Sequence, residues 1–325
     1  MEKDIIEKLK ESGLKGRSGS GFPTGLKWET VKNTIAYEKY VVCNASEGEP
    51  GIFKDGFILE NYPEEVVEGI KIALETINSS SAFFYLRKDY FKKFRKKLEK
   101  LAKGLPFCFV EKPEGYIAGE ETSICEVIEG KRPEPRIKPP YPAQSGVFNC
   151  PTLINNVETF YFVSKIAKGE YEKTRFFSVS KDVKKQGTFE LPEDYFVLYI
   201  LKKTGNLPDF DFFVQVGGGA CGEFLLKEEL NGKVSGAGSI IVYNSKKTNL
   251  MSLAKKLLDF HIKGNCDKCI PCREGSYRIN EMILSGKIDK NLLEEMLFNL
   301  EKASFCPLGK GMAVPLRGLF FKLIK

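Results

Sequence analysis

The sequence predicts an α/β protein built as three successive units, and three observations predict it. Residues 1 to 172 mix short helical segments with β-like runs such as Tyr40-Val41-Val42-Cys43 and Ala82-Phe83-Phe84-Tyr85. Residues 173 to 246 carry shorter strands separated by Gly, Pro, Asn or Asp turns. From residue 247 to 325 the β signal stops and the leucines fall at helical spacing.

In the first unit, Arg87 to Lys103 is strongly basic, with Phe91, Phe94, Leu98 and Leu101 spaced for one apolar face. The segment reads as an amphipathic helix with a solvated lysine face rather than a nucleic-acid surface, because no recognised binding module accompanies the charge. Tyr116-Ile117-Ala118 is a short apolar run, and Gly119-Glu120-Glu121-Thr122 after it opens a helix that Gly130 closes. Glu120 and Glu121 also fit the plain role of acidic residues in a first helical turn. In the second unit, FFSVS, QGTFEL, FDFFVQV and SIIVYN read as strands. One helix, FVLYILKKTG, ends at Gly205, and together these segments predict a small mixed β/α roll. In the third unit, Leu250, Leu253, Leu257 and Leu258, then Leu292, Leu293, Met296, Leu297 and Leu300, predict a helical bundle.

Composition narrows the chemistry. The chain has 325 residues, 42% hydrophobic and 29% charged, with 50 Lys and Arg against 43 Asp and Glu, a net charge of +7. That excess is too diffuse to imply nucleic acid. A single histidine, His261, leaves little room for a Ser/His/Asp triad or a histidine-rich zinc site. Nine cysteines, an odd count behind a start without signal-peptide character, point to reduced thiols and a cytoplasmic location. The longest apolar run, Phe196 to Leu201, is far below the roughly 20 residues a membrane span needs, so direct membrane insertion is not expected.

The strongest chemical signal is Cys266, Cys269 and Cys272 at x2, x2 spacing, with Cys306 followed by Pro307. Three thiolates on a tight loop take three corners of a cubane, and a distant fourth closes it, which favours one [4Fe-4S] cluster. Structural zinc is the competitor, but it is usually held by two separated pairs. The other five cysteines, Cys43, Cys108, Cys125, Cys150 and Cys221, read as buried structural thiols.

Two kinds of loop concentrate polar groups. Residues 16 to 25, GRSGSGFPTG, leave backbone N–H groups free to approach a phosphate or flat ring, and Arg17 and Lys27 add charge. Asn44 to Gly51 follows a strand, where ligand sites of open α/β sheets gather. The turn-rich stretch from Pro135 to Thr159 presents Lys138, Tyr141, Asn155 and Asn156. A literal G-x-G-x-x-G stands at Gly217, Gly219 and Gly222, between a strand and the helical-looking EFLLKEEL. It reads as a turn rather than a dinucleotide site, since no acidic residue ends the next strand to meet a ribose.

GRSGSGFPTGLKW, CNASEGEPGIFKD, YIAGEET, RIKPPYPAQSG, PTLINNVET and CDKCIPCREG resemble, in order, the NADH-binding flavoprotein subunit of respiratory complex I. The same family includes the diaphorase subunits of NAD-linked hydrogenases and formate dehydrogenases. The resemblance implies a Rossmann-like domain for FMN and NADH, a ubiquitin-like β-grasp (SLBB-type) domain and a helical [4Fe-4S] domain. By motif position, Gly16, Arg17, Lys27, Asn44, Glu47, Gly119, Glu120, Asn155, Asn156 and Thr159 would hold FMN. Phe22, Lys27, Glu49, Tyr116, Glu121, Lys138 and Tyr141 would contact NADH, with Glu49 and Glu121 positioning the reacting rings. Cys266, Cys269, Cys272 and Cys306 would ligate the cluster, with Lys268 and Arg273 tuning its potential.

Under this reading hydride passes from NADH to flavin and single electrons pass to the cluster, so a protein proton relay is not needed in that step. The resemblance further implies as partners a thioredoxin-like [2Fe-2S] subunit and a second iron-sulfur subunit. It places the protein in the cytoplasm, or peripherally on the inner face of a membrane complex. The chain is short for the family, as expected of a module whose electrons leave through a partner. Ser18, Thr30, Tyr141 and Ser46 depart from the complex I pattern. Ser18, Ser46 and Thr30 motivate a second reading, a non-catalytic iron-sulfur electron-transfer or assembly subunit with a degenerate flavin site.

Overall fold

The computed structural model describes residues 4–324. Helices α1 (Ile5–Ser12) and α2 (Thr24–Asn33) precede strand β1 (Tyr40–Ala45), followed by α3 (Lys54–Asn61) and α4 (Pro63–Ile77). Next come β2 (Ser81–Leu86), α5 (Lys88–Leu101), β3 (Phe107–Glu111), α6 (Glu121–Ile128), β4 (Thr152–Asn156) and α7 (Val157–Lys168). The four strands form a parallel sheet in the order β3-β2-β1-β4.

Alternation along each strand sorts the core into two layers. Val41, Cys43, Ala45, Phe84, Leu86 and Leu153 point toward α2 to α5 and α7, where Trp28, Ile58, Ile70, Leu98 and Phe160 are buried. Tyr40, Val42, Phe83, Tyr85 and Ile154 face the other way, against Ile124 and Cys125 of α6. Helix α5 follows the sequence expectation, burying Tyr90, Phe94 and Leu98 and leaving its lysines outside. Helix α6 opens on Glu120, whose carboxylate accepts from Thr122 N and Ser123 N, and Gly130 beyond its end takes φ +76°, as a C-terminal glycine allows.

A five-stranded mixed sheet follows, in the order β6-β5-β9-β7-β8. Its strands are β5 (Thr174–Lys181), β6 (Gly187–Pro192), β7 (Phe212–Val216), β8 (Glu223–Leu225) and β9 (Ser239–Asn244), with α8 (Val197–Lys203) between β6 and β7. EFLLKEEL is not a helix. Glu223 to Leu225 pairs antiparallel with β7, and only a short 3-10 turn, Lys227–Glu229, follows. The G-x-G-x-x-G segment is therefore the connection of an antiparallel pair, which excludes the parallel βαβ unit a dinucleotide fingerprint requires.

One face of this sheet packs Val214, Val216, Ile240 and Val242 on α8. The other packs Phe213, Phe224, Ile241 and Tyr243 on the C-terminal helices α9 (Leu250–Gly264), α10 (Ile270–Leu284), α11 (Lys290–Ala303) and α12 (Pro307–Arg317). The leucine pattern places Leu257, Leu258, Leu293, Leu297 and Leu300 in that shared core. No helix among the described residues is long and apolar enough to cross a membrane.

Candidate functional site

The polar loops converge at the carboxyl edge of the parallel sheet. Strand order reverses beside β1, so the ends of β1 and β4 border the crevice where open α/β sheets bind ligands. Asn44 lies opposite Asn156 in register, and Cys43 opposite Asn155. Asn44 Nδ2 reaches Gly119 O at 3.3 Å and Asn156 Nδ2 reaches Asn44 O at 3.2 Å, tying β1, β4 and the approach to α6 together. With its amide oriented to satisfy both ends, Asn155 accepts from Trp28 Nε1 at 2.9 Å.

Above this floor lies the glycine-rich loop. Gly16 N donates to Phe22 O at 2.9 Å and Arg17 N to Thr159 Oγ1 at 3.2 Å, closing the loop onto α7. Among the described residues, the amides of Ser18, Gly19, Ser20 and Gly21 have no acceptor within the protein. Unpaired consecutive amides are the donor set a phosphate or a flavin edge takes, so the loop fits FMN. The Arg17 guanidinium contributes nothing to that face. It is buried against Glu193 Oε2 at 2.6 Å and Tyr171 OH at 3.1 Å, 4.0 Å from Glu158, so only its backbone lies on the loop.

The opposite wall is a compact charge cluster. Lys138 Nζ lies 2.8 Å from Glu120 and 2.7 Å from Glu121, and Lys27 Nζ lies 3.9 Å from Glu121 and donates to Ile154 O at 3.2 Å. Burial holds Lys27 below its ordinary range, with Glu121 opposing that. For Lys138 burial also works against the charge, but Glu121 and Glu120 outweigh it and the group is raised. Phe22 and Tyr141 stand about half exposed at the mouth, available for stacking. Gly119 belongs here for a steric reason: a Cβ on it would lie 2.6 Å from Ser46 Oγ.

Beneath β1, Glu47 accepts from Asp55 N at 3.0 Å and from the Tyr90 hydroxyl at 2.5 Å. Burial, then the neighbouring Asp55, pushes its carboxyl up to about 7. Lys54, almost fully buried, neutralises the region through Asp55 at 2.7 Å, Glu158 at 3.1 Å and Asn156 at 2.8 Å. Glu49 points the other way, accepting from Tyr116 OH at 2.7 Å and from Ala220 N at 2.9 Å.

The cysteines sit directly behind this wall. Cys269 is the residue just before α10, Cys272 lies in its first turn and Cys306 is the residue just before α12. Cys306 and Leu308 pack with Ile117, and Tyr116 and Cys266 border the same cluster. Burial raises Cys272 to about 12, with Cys269, Cys306 and Cys266 adding to it. No group of three or more His, Cys, Asp or Glu side chains among the described residues is arranged for a metal ion.

The surroundings suit a cluster. The buried donors Asn265 Nδ2 and Ser304 Oγ beside these thiols lack protein partners. Gly309 lets α12 approach, since a Cβ there would meet Cys272 Cβ at 3.2 Å. Lys268 pairs with Glu134 at 3.4 Å, and Arg273 pairs with Glu274 at 3.0 Å and donates to Asp267 O, within the cysteine loop, at 3.3 Å. Of the remaining cysteines, Cys43 and Cys125 are buried as expected, whereas Cys108 is exposed and Cys150 and Cys221 are only partly covered. Cys108 differs because β3 is the sheet's edge strand.

Sequence reasoning missed the partners of Glu49. Ala220 comes from a turn 171 residues away, and no local signal links it to Glu49. It also missed Trp28 on Asn155 and the buried Lys54 and Asp55 pair.

Residues 9–165 match the family model of the Nuo51 FMN-binding domain, and residues 252–322 match the NADH-ubiquinone oxidoreductase-F iron-sulfur binding region. Fold, site and these matches define the class: an oxidoreductase component that uses FMN, NADH and a [4Fe-4S] cluster. An NADH-quinone oxidoreductase subunit of Rhizobium meliloti is 33% identical across 97% of this chain and 85% of that protein. Its counterpart in Aquifex aeolicus is 34% identical across 94% and 81%, and the NADP-reducing hydrogenase subunit HndC of Solidesulfovibrio fructosivorans 32% across 96% and 73%. The chain belongs to this family of NADH-quinone oxidoreductase and hydrogenase subunits with a Nuo51 FMN-binding domain. A crystal structure of NAD+-reducing [NiFe]-hydrogenase in the H2-reduced state superposes with a TM-score of 0.89 at 28% identity, covering 98% of this chain and 61% of that one.

Proposed function

We propose that this chain is the NADH-oxidising module of a multisubunit oxidoreductase, with FMN seated in the sheet-edge crevice and one [4Fe-4S] cluster on Cys266, Cys269, Cys272 and Cys306. The observation that carries it is the shared wall: Ile117 packs on Cys306, and the next residues, Gly119 to Glu121, line the crevice. Held in that crevice, FMN would supply hydride-acceptor chemistry toward NADH and one-electron-donor chemistry toward the cluster.

The chain's own residues bind, orient and exclude water. Amides 18 to 21, Gly16, Asn44, Asn155, Asn156, Gly119, Glu120 and Thr159 hold the flavin, with Arg17 fixing the loop's base. Lys27 and Lys138 offset the charge of Glu120 and Glu121, so the pocket stays near neutral for an anionic dinucleotide. Phe22 and Tyr141 stack on NADH, Glu49, Glu121 and Tyr116 orient it, and Glu47 braces the flavin floor through Asp55. These fixed contacts provide orientation rather than proton transfer.

The three units, 1–172, 173–246 and 247–325, act as the cofactor, β-grasp and cluster domains. A thioredoxin-like [2Fe-2S] subunit and a further iron-sulfur subunit receive or supply the electrons, and the module sits in the cytoplasm or peripherally on a membrane complex. Protein reconstituted anaerobically with FMN, iron and sulfide should oxidise NADH with ferricyanide. Flavin that is retained but not bleached by NADH would instead favour a non-catalytic role.

A further inference from the structure

The glycine-rich loop is anchored from the second sheet as well as from the first. Arg17 Nη2 lies 2.6 Å from Glu193 Oε2, 3.1 Å from Tyr171 OH and 3.4 Å from Thr174 O. Thr174 begins β5 and Glu193 directly follows β6, and Glu193 N donates to Lys173 O at 2.9 Å. The buried guanidinium therefore closes on the end of one antiparallel pair. The Phe162 ring lies 5.6 Å from the guanidinium carbon, and Tyr171 packs edge-on against that ring. At the tip of the loop the second unit approaches again, since a Cβ on Gly19 would lie 4.0 Å from Ala237 N. The turn that carries Ala237 is itself tied to β5, because the buried Arg175 donates to Val234 O at 3.3 Å and to Gly236 O at 3.1 Å.

We propose that Glu193, from the second unit, is a positioning residue for FMN: through Arg17 it fixes the base of the glycine-rich loop, so that amides 18 to 21 stay presented to the flavin. The proposal rests on the reading that this loop holds FMN. Arg17 is the residue just before the run of free amides, and it is held on two sides, by Thr159 Oγ1 on its backbone N–H at 3.2 Å and by Glu193 on its guanidinium. Glu193 is its counter-ion at hydrogen-bond distance, whereas Glu158 stands 4.0 Å away and is shared with Lys54 at 3.1 Å. A loop with four glycines in ten residues loses much backbone freedom when a ligand orders it, so a base already fixed lowers the cost of binding. The Glu193 side chain is itself 34% exposed, so replacing it opens no cavity in the core.

The test uses the full chain with its cluster loaded, as Glu193→Ala, Glu193→Gln, Arg17→Met and the Glu193→Ala/Arg17→Met double variant. For each, the FMN dissociation constant is read from fluorescence quenching, beside hydrogen exchange of amides 18 to 21 with and without FMN and urea unfolding of the FMN-free protein. Glu193→Ala should raise the FMN dissociation constant roughly tenfold, a factor equal to about 1.4 kcal/mol, and lessen the protection that FMN gives those amides. Glu193→Gln, which keeps an acceptor oxygen, should fall between, and the double variant should bind FMN no worse than Arg17→Met alone. An FMN constant unmoved in Glu193→Ala, even with a lowered unfolding midpoint, or fully additive losses in the double variant would overturn the proposal while leaving the loop assignment intact. Amides 18 to 21 that FMN does not protect in the unaltered chain would overturn the loop assignment and the proposal together.

Discussion

Tyr116 donates its hydroxyl to Glu49 across 2.7 Å while its ring borders the cluster of Ile117, Cys306 and Leu308. One side chain thus touches both the proposed dinucleotide side and the thiol side of the shared wall. A hydrogen bond to a carboxylate contributes about 1.5–3 kcal/mol. Tyr116→Phe should therefore raise KM for NADH by roughly tenfold or more, with FMN content and the cluster signal retained, as read by steady-state kinetics beside flavin and iron assays.

Cys306 is the distant fourth thiol, at the start of α12. Cys306→Ser should lose or convert the cluster while FMN stays bound, because every proposed flavin contact lies in the first unit. An unchanged electron-paramagnetic-resonance spectrum of the reduced protein would count against Cys306 as a ligand.

The buried ion pairs predict a stability effect. Lys54 is 2% exposed and sits between Asp55 and Glu158. Lys54→Met removes the nearest cation from both carboxylates, leaving Glu158 only Arg17 at 4.0 Å, so unfolding in urea should show a loss of about 3–5 kcal/mol, the usual cost of breaking a buried pair from one side.

Glu47 gives a pH dependence. Its carboxyl is raised from 4.5 to about 7, chiefly by burial and then by Asp55. Between those values the folded chain binds more protons than the unfolded one, so stability falls as pH rises. Glu47→Gln should flatten that slope between pH 4.5 and 7, seen in denaturation midpoints across the range.

How much of this was legible in the sequence depends on the range of the interaction. Phe94 and Leu98 of α5 follow from local periodicity, and the cysteine spacing carries its own chemistry. Glu223 to Leu225 does not. Its Glu, Leu and Lys neighbours favour helix, but pairing with β7 and burial of Phe224 decide for strand. Arg17 looked like a ligand-binding arginine because its ion-pair partners, Glu158 and Glu193, are over 100 residues away in the chain. Glu49 was found by motif, but one of the groups that hold it, the Ala220 amide, exists only once the second sheet is folded against the first.

Electron flow from NADH through the sheet-edge crevice to the thiol-held cluster is tested most directly by anaerobic addition of NADH to the reconstituted protein. Flavin absorbance and the cluster's electron-paramagnetic-resonance signal are followed together. Bleaching of the flavin, with a reduced-cluster signal that disappears in Cys306→Ser, is the predicted result. A cluster signal that develops without flavin bound, or a flavin that NADH leaves oxidised, would contradict it.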